Sequence, residues 1–235
     1  MSEQLLRCPE SWIRGTLEPT GPDGLIASVD TGSTPKTTDE DYWDGDIPWL
    51  TPKEITRSSF SLYVSQTDRT ITQAGLASCS ARLLPPGTVM LTKRAPVGAV
   101  AVNTVPMATN QGFLNFRCGR MLRPLYLAIW LKANRAYLDM VANGSTYPEL
   151  YKSDLFEFEI QAPDIAKQEA IVDAVFALEY IIMQGTPLEQ SCPELGRIPS
   201  INKDTQKLRD VSMNLILLLL SGQLDPAHVK TRFSS

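Results

Sequence analysis

The hydrophobic pattern of the chain changes near residue 160. Before that point apolar residues occur in short runs separated by glycine and proline, which predicts short strands, turns and one or two helices. The runs 88–92 and 99–102 are rich in β-prone residues, and the Ala-Pro-Val-Gly turn between them predicts a hairpin-like pair. Residues 113–117, Phe-Leu-Asn-Phe-Arg, predict a further, half-buried strand.

A helix is predicted to begin at Pro124, because proline is favoured in the first helical turn. It is predicted to end near Asn143 and Gly144, which tolerate a left-handed conformation. This mixture of elements predicts an α+β domain over residues 1–160, with a curved mixed β-sheet and short helices. A chain of 235 residues, 43% of them hydrophobic, can bury one such core and carry a helical appendage.

Residues 161–235 follow a helical period instead. Asp164 can cap a first helix, and apolar residues in two stripes are spaced three or four positions apart. The stripes consist of Ile171, Val175, Leu178 and Ile182, and of Leu208, Val211, Leu215 and Leu218. The proline-bearing stretch 185–200 separates them, which predicts an antiparallel, coiled-coil-like helical segment that ends at Gly222 and Pro226. Both helices can pack on their own domain, but the apolar residues 215–220 cover more than one face and favour a partner surface.

Charge is unevenly distributed along the chain. Its overall net charge of −4 and pI of about 5.1 argue, taken alone, against a nucleic-acid partner. Residues 61–135, however, contain nine basic residues and a single acidic one, whereas residues 1–60 contain five and eleven and residues 136–235 eight and fourteen. A basic middle between acidic ends is typical of a polyanion site. The alternative is a solvated basic face without a partner.

The composition also indicates the cellular compartment of the protein. The longest apolar run, 215–220, is far shorter than a bilayer span, and the N-terminus lacks a signal-peptide core. Cys8, Cys79, Cys118 and Cys192 form no CxxC pair, which favours reduced thiols over a zinc site or disulfides. We therefore expect a cytoplasmic protein without a membrane segment.

Motifs of nucleic-acid enzymes are missing from the sequence. No lysine follows an acidic residue at the spacing of a PD-(D/E)xK nuclease, and no lysine stands in a Walker A loop. The pair Pro85-Pro86 lacks the flanking Asn or Asp and the aromatic residue of an adenine methyltransferase. The single histidine, His228, lies in the C-terminal tail, which removes His-based catalytic sites. We expect no catalytic residue and no metal or cofactor bound by this chain, so a reader of DNA remains.

Residues 31–56, TGSTPKTTDEDYWDGDIPWLTPKEIT, have no helical period and no strand alternation. They predict an ordered loop fixed by three prolines and by the buried rings of Trp43 and Trp49. The segment resembles the entry of a target recognition domain in the specificity (S) subunits of type I restriction-modification enzymes. There a G-x-T-P turn precedes Y-W-x-G-x-I-P-W and a T-P-x-[DE] step.

Further stretches match those S subunits in order and spacing. They are residues 71–76, 80–89, 91–98, 108–113, 144–150 and 160–172. The resemblance covers residues 9–184 and, loosely, 204–225. Two departures stand out: one recognition domain is present where a full S subunit has two, and the insertion 185–200 leaves the geometry of the helical spacer open.

The resemblance implies a half-length, non-catalytic S subunit. Residues 1–160 would be its DNA target recognition domain, and residues 161–235 its helical spacer for dimerisation and methyltransferase docking. Such a subunit would bind double-stranded DNA and direct methyltransferase (M) subunits, which carry S-adenosylmethionine and methylate N6 of adenine, to a bipartite target. Because one recognition domain is present, we expect two copies to pair through the two helical stripes as a homodimer that supplies both halves. Whether a restriction (R) subunit joins stays open. The alternative function is a DNA-binding module of another defence or regulatory system.

Base edges in the major groove are read by arginine or lysine at guanine and by asparagine or glutamine at adenine, while hydroxyl groups suit phosphates. The predicted DNA-binding residues are Thr51, Lys53, Arg82, Lys93, Arg94, Asn110, Gln111, Ser145, Thr146 and Tyr147. For Asn110 a buried turn residue is the equal alternative. Arg117, Arg120 and Arg123 are expected to face phosphates or solvent.

Overall fold

The structure, a computed structural model, describes residues 8–57, 62–142, 148–184 and 205–226, with the backbone alone at 180–184 and 205–212. Gly15–Ile160 forms one compact unit, and residues 8–14 group with the C-terminal helices in a second. Residues 8–14 thus lie in the second unit, whereas the predicted recognition domain, residues 1–160, includes them. The chain passes between the units within strands β1 (Ile13–Thr16) and β10 (Glu159–Ala162). The predicted α+β class is confirmed.

A five-stranded mixed sheet forms the centre of the Gly15–Ile160 unit. In spatial order its strands are β2 (Ile26–Thr31), β9 (Phe113–Cys118), β6 (Val89–Thr92), β7 (Val100–Asn103) and β4 (Tyr63–Val64). Neighbours are antiparallel except β4 and β7, which run parallel. The predicted hairpin-like pair is confirmed, with Val89 opposite Val102 and Leu91 opposite Val100 in β6 and β7.

Among its described residues, five short α-helices accompany the sheets of this unit. They are α1 (Pro52–Arg57), α2 (Gln73–Ala77), α3 (Pro124–Ala133), α4 (Arg135–Val141) and α5 (Lys152–Phe156). Helix α3 begins at Pro124 as predicted, but the helix is interrupted at Asn134, whose side-chain amide donates to the Trp130 carbonyl at 2.8 Å. The second segment ends at Val141, and the predicted stop at residues 143–144 lies outside the described residues.

The strand predicted at 113–117 is confirmed as β9, but its predicted half-exposure is wrong. Its first four residues, Phe113 to Phe116, are all buried. One reason is that α3 packs against β6 and β7 while Leu50, Met90 and Phe113 join a separate apolar cluster. Because both faces of the sheet are covered along Phe113–Phe116, side chains on both faces of β9 are buried there, and exposure begins only at Arg117.

A second, three-stranded sheet holds the aromatic segment. Its central strand β3 (Trp43–Leu50) lies between β5 (Thr70–Ile71) and β8 (Ala108–Thr109). The prediction that residues 31–56 are loop throughout is therefore wrong, because β3 and α1 lie within them. The pairing of β3 with β5 is irregular between Trp43 and Ile47, and Asp44 has a φ of 59°. This irregularity removes the period of two by which a strand is recognised in sequence.

The second unit contains helices α6 (Ile165–Gln184) and α7 (Thr205–Leu220), which contact each other. Asp164 caps α6 as predicted, because its carboxylate accepts from the Lys167 N–H at 2.9 Å. Residues 185–200 lie outside the described residues, as do the side chains of Ile182, Leu208 and Val211. None of the described helices is long and apolar enough to span a membrane.

The predicted pairing stripes serve the interior of this unit. Ile171, Val175, Leu178 and Leu215 are each at most 2% exposed, and Leu218 is half-buried. Ile216, Leu219 and Leu220, which had suggested a surplus apolar face, are also buried within the chain itself. Only Leu217 and Leu218 of that face remain partly exposed.

Candidate nucleic-acid interface

Four loops of the Gly15–Ile160 unit and the start of helix α1 are joined by backbone hydrogen bonds into what we call the loop cluster: residues 32–36, 51–53, 93–98, 110–112 and 149–150. The bonds run from the N–H of Ser33 to the carbonyl of Thr109 (3.0 Å), from Asn110 to Leu50 (3.0 Å), from Lys93 to Gly112 (2.8 Å) and from Leu150 to Lys93 (2.9 Å). Each bond ties a loop to another loop or to a strand end. The cluster is therefore an ordered surface built from segments far apart in sequence.

Two tryptophans fix the first loop of the cluster. The Trp49 indole N–H donates to the Ser33 carbonyl at 3.0 Å, and that of Trp43 donates to the Lys36 carbonyl at 3.2 Å. Both rings are buried and stand edge to face, with centroids 5.1 Å apart. The Arg69 guanidinium lies over the Trp43 ring, 3.5 Å from its centroid. The predicted aromatic anchoring of this loop is thus confirmed.

Close packing explains two glycines of the cluster. A Cβ on Gly32 would overlap the carbonyl oxygens of Thr109 and Asn110. A Cβ on Gly112 would lie 2.8 Å from Cγ of Pro52. Neither loop can approach its neighbour this closely with a side chain in place.

The first two predicted residues, Thr51 and Lys53, have different environments. The Thr51 hydroxyl and N–H both donate to one Glu54 carboxylate oxygen, at 2.6 and 2.8 Å. Thr51 therefore precedes helix α1 in the N-cap position, and Glu54 accepts its N–H as in one half of a capping box. Lys53 is exposed on the first turn of that helix.

Asn110 and Gln111 also differ. The Asn110 side-chain oxygen accepts from the Gly112 N–H at 2.8 Å, so this side chain stabilises its own turn. Gln111 is exposed, and its side-chain oxygen accepts from the Thr34 hydroxyl across the two loops. Gln111 therefore presents an amide at the surface of the cluster. The bond from Gly112 to Asn110 agrees instead with the alternative interpretation of Asn110 as a turn residue.

Lys93 and Arg94 share one carboxylate. The Lys93 ammonium lies 2.8 Å from one oxygen of Glu149, and the Arg94 guanidinium lies 3.9 Å from the other. The Lys93 side chain is 17% exposed and that of Arg94 is 42% exposed. The hydrogen bond from Lys93 holds the pKa of Glu149 below its ordinary value, so the carboxylate is charged at neutral pH.

The other arginines of the basic stretch do not form one surface. Arg82 is exposed and lies 3.3 Å from Asp30 of β2, close to the loop cluster. Arg117 donates to the Ser28 hydroxyl at 3.0 Å, and Arg120 pairs with Asp23 at 3.0 Å beyond the other end of β2 and β9. Acidic residues from the flanks thus offset part of the charge that the sequence concentrates in 61–135.

Ser145, Thr146 and Tyr147 lie outside the described residues. Sequence reasoning missed Glu149 because nothing in the sequence links it to Lys93. It also missed the buried pair formed by Asn115 and Thr109, whose side chains bond at 2.8 Å behind the Gly32 loop. Among the described residues no group of three or more His, Cys, Asp or Glu side chains is placed to hold a metal ion.

The sequence and fold of this chain are similar to those of known proteins. A family model described as the type I restriction modification DNA specificity domain matches residues 24–189, most of the chain. The chain belongs to this family. The MjaIX specificity subunit of a type I restriction enzyme from Methanocaldococcus jannaschii is 40% identical over 159 residues, which cover 67% of this chain and 37% of that protein.

One further relative and one solved structure are similar to this chain. The EcoR124I/EcoR124II specificity subunit of Escherichia coli is 24% identical over 176 residues, covering 71% of this chain and 43% of that protein. The HsdS subunit from Thermoanaerobacter tengcongensis shares the fold, with a TM-score of 0.51 and 20% identity over 92% of this chain and 46% of that structure. The chain thus spans less than half the length of the relatives it matches.

Proposed function

We propose that this chain reads a DNA sequence for a type I restriction-modification system and carries no catalysis itself. The observation that carries the proposal is the loop cluster on a DNA specificity fold. It is an ordered surface that presents Lys53, Arg94 and Gln111 from three segments far apart in sequence. Lysine and arginine at guanine, and glutamine at adenine, are the side chains that major-groove readout requires. Lys36 adds a further exposed cation for phosphate.

The proposal is tested by the paired substitution Lys93→Ala/Arg94→Ala in duplex-binding measurements across a salt series. Affinity for the target should fall by about 1–3 kcal/mol for each base that is no longer read. The dependence of log affinity on log salt should become shallower by about 0.9 for each phosphate that is no longer neutralised. Arg117→Ala/Arg120→Ala is the matched control, because it removes the same charge at the opposite end of β9, away from the loop cluster. An unchanged affinity and salt slope in the first variant would exclude Lys93 and Arg94 from the interface.

The partners follow from the same proposal. The chain would position methyltransferase subunits that bind S-adenosylmethionine and methylate N6 of adenine, and a restriction subunit can join the same assembly. Co-purification with a methyltransferase tests this, together with calorimetry of the isolated chain against S-adenosylmethionine. Stoichiometric cofactor binding by the chain alone would contradict it. DNA binding without any methyltransferase partner would favour a module of another defence or regulatory system.

We further propose that two copies of the chain act together as a homodimer. One specificity domain reads one half of a bipartite site, and a second copy supplies the other half most simply with two-fold symmetry. The expected target is then an interrupted palindrome, with half-sites at a spacing set by the helices. A map of methylated adenines in the source organism tests this directly.

A further inference from the structure

Glu149 holds two cations of the proposed DNA interface in the free protein. One carboxylate oxygen faces Lys93 at 2.8 Å and the other faces Arg94 at 3.9 Å. The carboxylate is 23% exposed, so the pair is reachable from solvent while being partly shielded from salt. Lysine and arginine bind carboxylate and phosphate oxygens through the same charge-assisted hydrogen bonds, so the two anions can compete for these cations.

Backbone bonds fix both sides of this arrangement. The Leu150 N–H donates to the Lys93 carbonyl at 2.9 Å, and Leu150 itself is fully buried. On the cation side, the Thr92 hydroxyl donates to the Pro96 carbonyl at 2.6 Å and accepts from the Ala99 N–H at 2.8 Å, which closes the loop that carries Lys93 and Arg94. These hydrogen bonds hold the backbone that carries Glu149 next to the backbone that carries Lys93 and Arg94. The tertiary structure therefore positions the carboxylate beside the two cations.

We propose that Glu149 is a built-in competitor of DNA phosphate, which occupies Lys93 and Arg94 until DNA displaces it. The inference rests on the proposed function and deepens it. Sequence-independent binding depends on cations that neutralise phosphates and release counterions. A carboxylate already bound to two of those cations lowers the affinity for any duplex. A larger share of the binding free energy then comes from the base contacts made nearby by side chains such as Gln111.

The test compares Glu149→Gln with the parent chain on a random 30-base-pair duplex over a salt series. Glutamine keeps the shape of the side chain and removes its charge. We expect affinity at low salt to rise by roughly fivefold, since a partly exposed ion pair is released. The salt slope should stay close to that of the parent, because the same two cations neutralise phosphates in both complexes once Glu149 is displaced. Asp23→Asn is the matched control: it breaks the pair with Arg120, which lies beyond the far end of β2 and β9.

A triple variant, Glu149→Gln/Lys93→Ala/Arg94→Ala, shows whether the gain passes through the two cations. It should bind like Lys93→Ala/Arg94→Ala. The proposal is overturned if Glu149→Gln behaves like Asp23→Asn, if it binds more weakly than the parent, or if the triple variant keeps the gain. Failure of the proposed function gives a different result, because the parent chain itself would then bind no duplex even at low salt.

Discussion

At the scale of single residues, the predicted DNA contact Thr51 also has a structural role. Its hydroxyl and N–H both donate to Glu54, so it holds that carboxylate at the start of helix α1 beside the loop cluster. Thr51→Ala should lower the free energy of unfolding by about 1 kcal/mol, the usual effect of losing one hydrogen bond within the protein. Denaturant titration measures this, and Thr56→Ala, which removes an exposed hydroxyl of the same helix, is the control. Unchanged stability together with a shallower salt slope of DNA binding would return Thr51 to the DNA contacts.

Glu149 gives a second prediction at this scale. Its pKa lies below its ordinary value of 4.5, chiefly because Lys93 donates a hydrogen bond to the charged carboxylate. Its contribution to stability is therefore fully present above pH 4.5 and is lost as the pH falls through the lowered pKa. The free energy of unfolding of Glu149→Gln should therefore be lower than that of the parent at pH 7, and the two values should converge in acid. A constant difference across this range would mean that the ion pair does not stabilise the fold.

At the scale of elements, the end of helix α7 depends on Gly222. Its φ is +70°, its N–H donates to the Leu219 carbonyl at 3.1 Å, and the next N–H donates to that of Leu218 at 3.0 Å. A Cβ at this position would also lie 3.0 Å from the ring of Pro9. This is a left-handed helix cap that in addition packs closely on the N-terminal segment.

Gly222→Ala should therefore destabilise the second unit by more than about 1 kcal/mol, combining backbone strain with crowding. Gly21→Ala separates the two causes, because Gly21 has a φ of +94° but open space around its Cβ position. Thermal unfolding followed by circular dichroism measures both. Equal destabilisation in the two variants would show that the contact with Pro9 costs nothing.

At the scale of the whole molecule, the proposed homodimer requires apolar surface that the chain does not already bury. Leu215 is buried in its own unit, so Leu215→Ala should cost about 2–5 kcal/mol of stability whatever the oligomeric state. Leu218 is half-buried, and Leu218→Lys should weaken pairing with a smaller decrease in stability. Light scattering with bound methyltransferase distinguishes the two effects. A parent chain that stays monomeric in that complex, or a methylated site that is not palindromic, would contradict the homodimer.

The net charge of the candidate interface also depends on the structure of the whole molecule. The sequence concentrates nine basic residues in 61–135, but the fold pairs Arg82 with Asp30, Arg120 with Asp23 and Lys93 with Glu149. Those carboxylates come from both acidic flanks. The candidate interface is consequently a limited set of side chains in the loop cluster, and not the whole basic stretch.

The sequence by itself determined the features that depend on neighbouring residues. The β6–β7 hairpin, the start of α3 at Pro124, the cap at Asp164 and the anchoring of the first loop by tryptophans all follow from propensity, capping or local aromatic content. The motif in residues 31–56 also pointed to the family that the comparisons show. Strand β3 was not predicted, because its irregular pairing near Asp44 hides the alternation of buried side chains.

Tertiary structure alone decided which polar groups meet. Glu149 reaches Lys93, Thr34 reaches Gln111 and Asn115 reaches Thr109 only after the strands that carry them are paired and the loops closed. The burial of Ile216 and Leu219 was likewise set by what packs on α7, which no helical period specifies. The physical reason is the range of the interactions. Propensities and caps act within one turn of chain, whereas ion pairs and burial depend on distances that sequence separation does not encode.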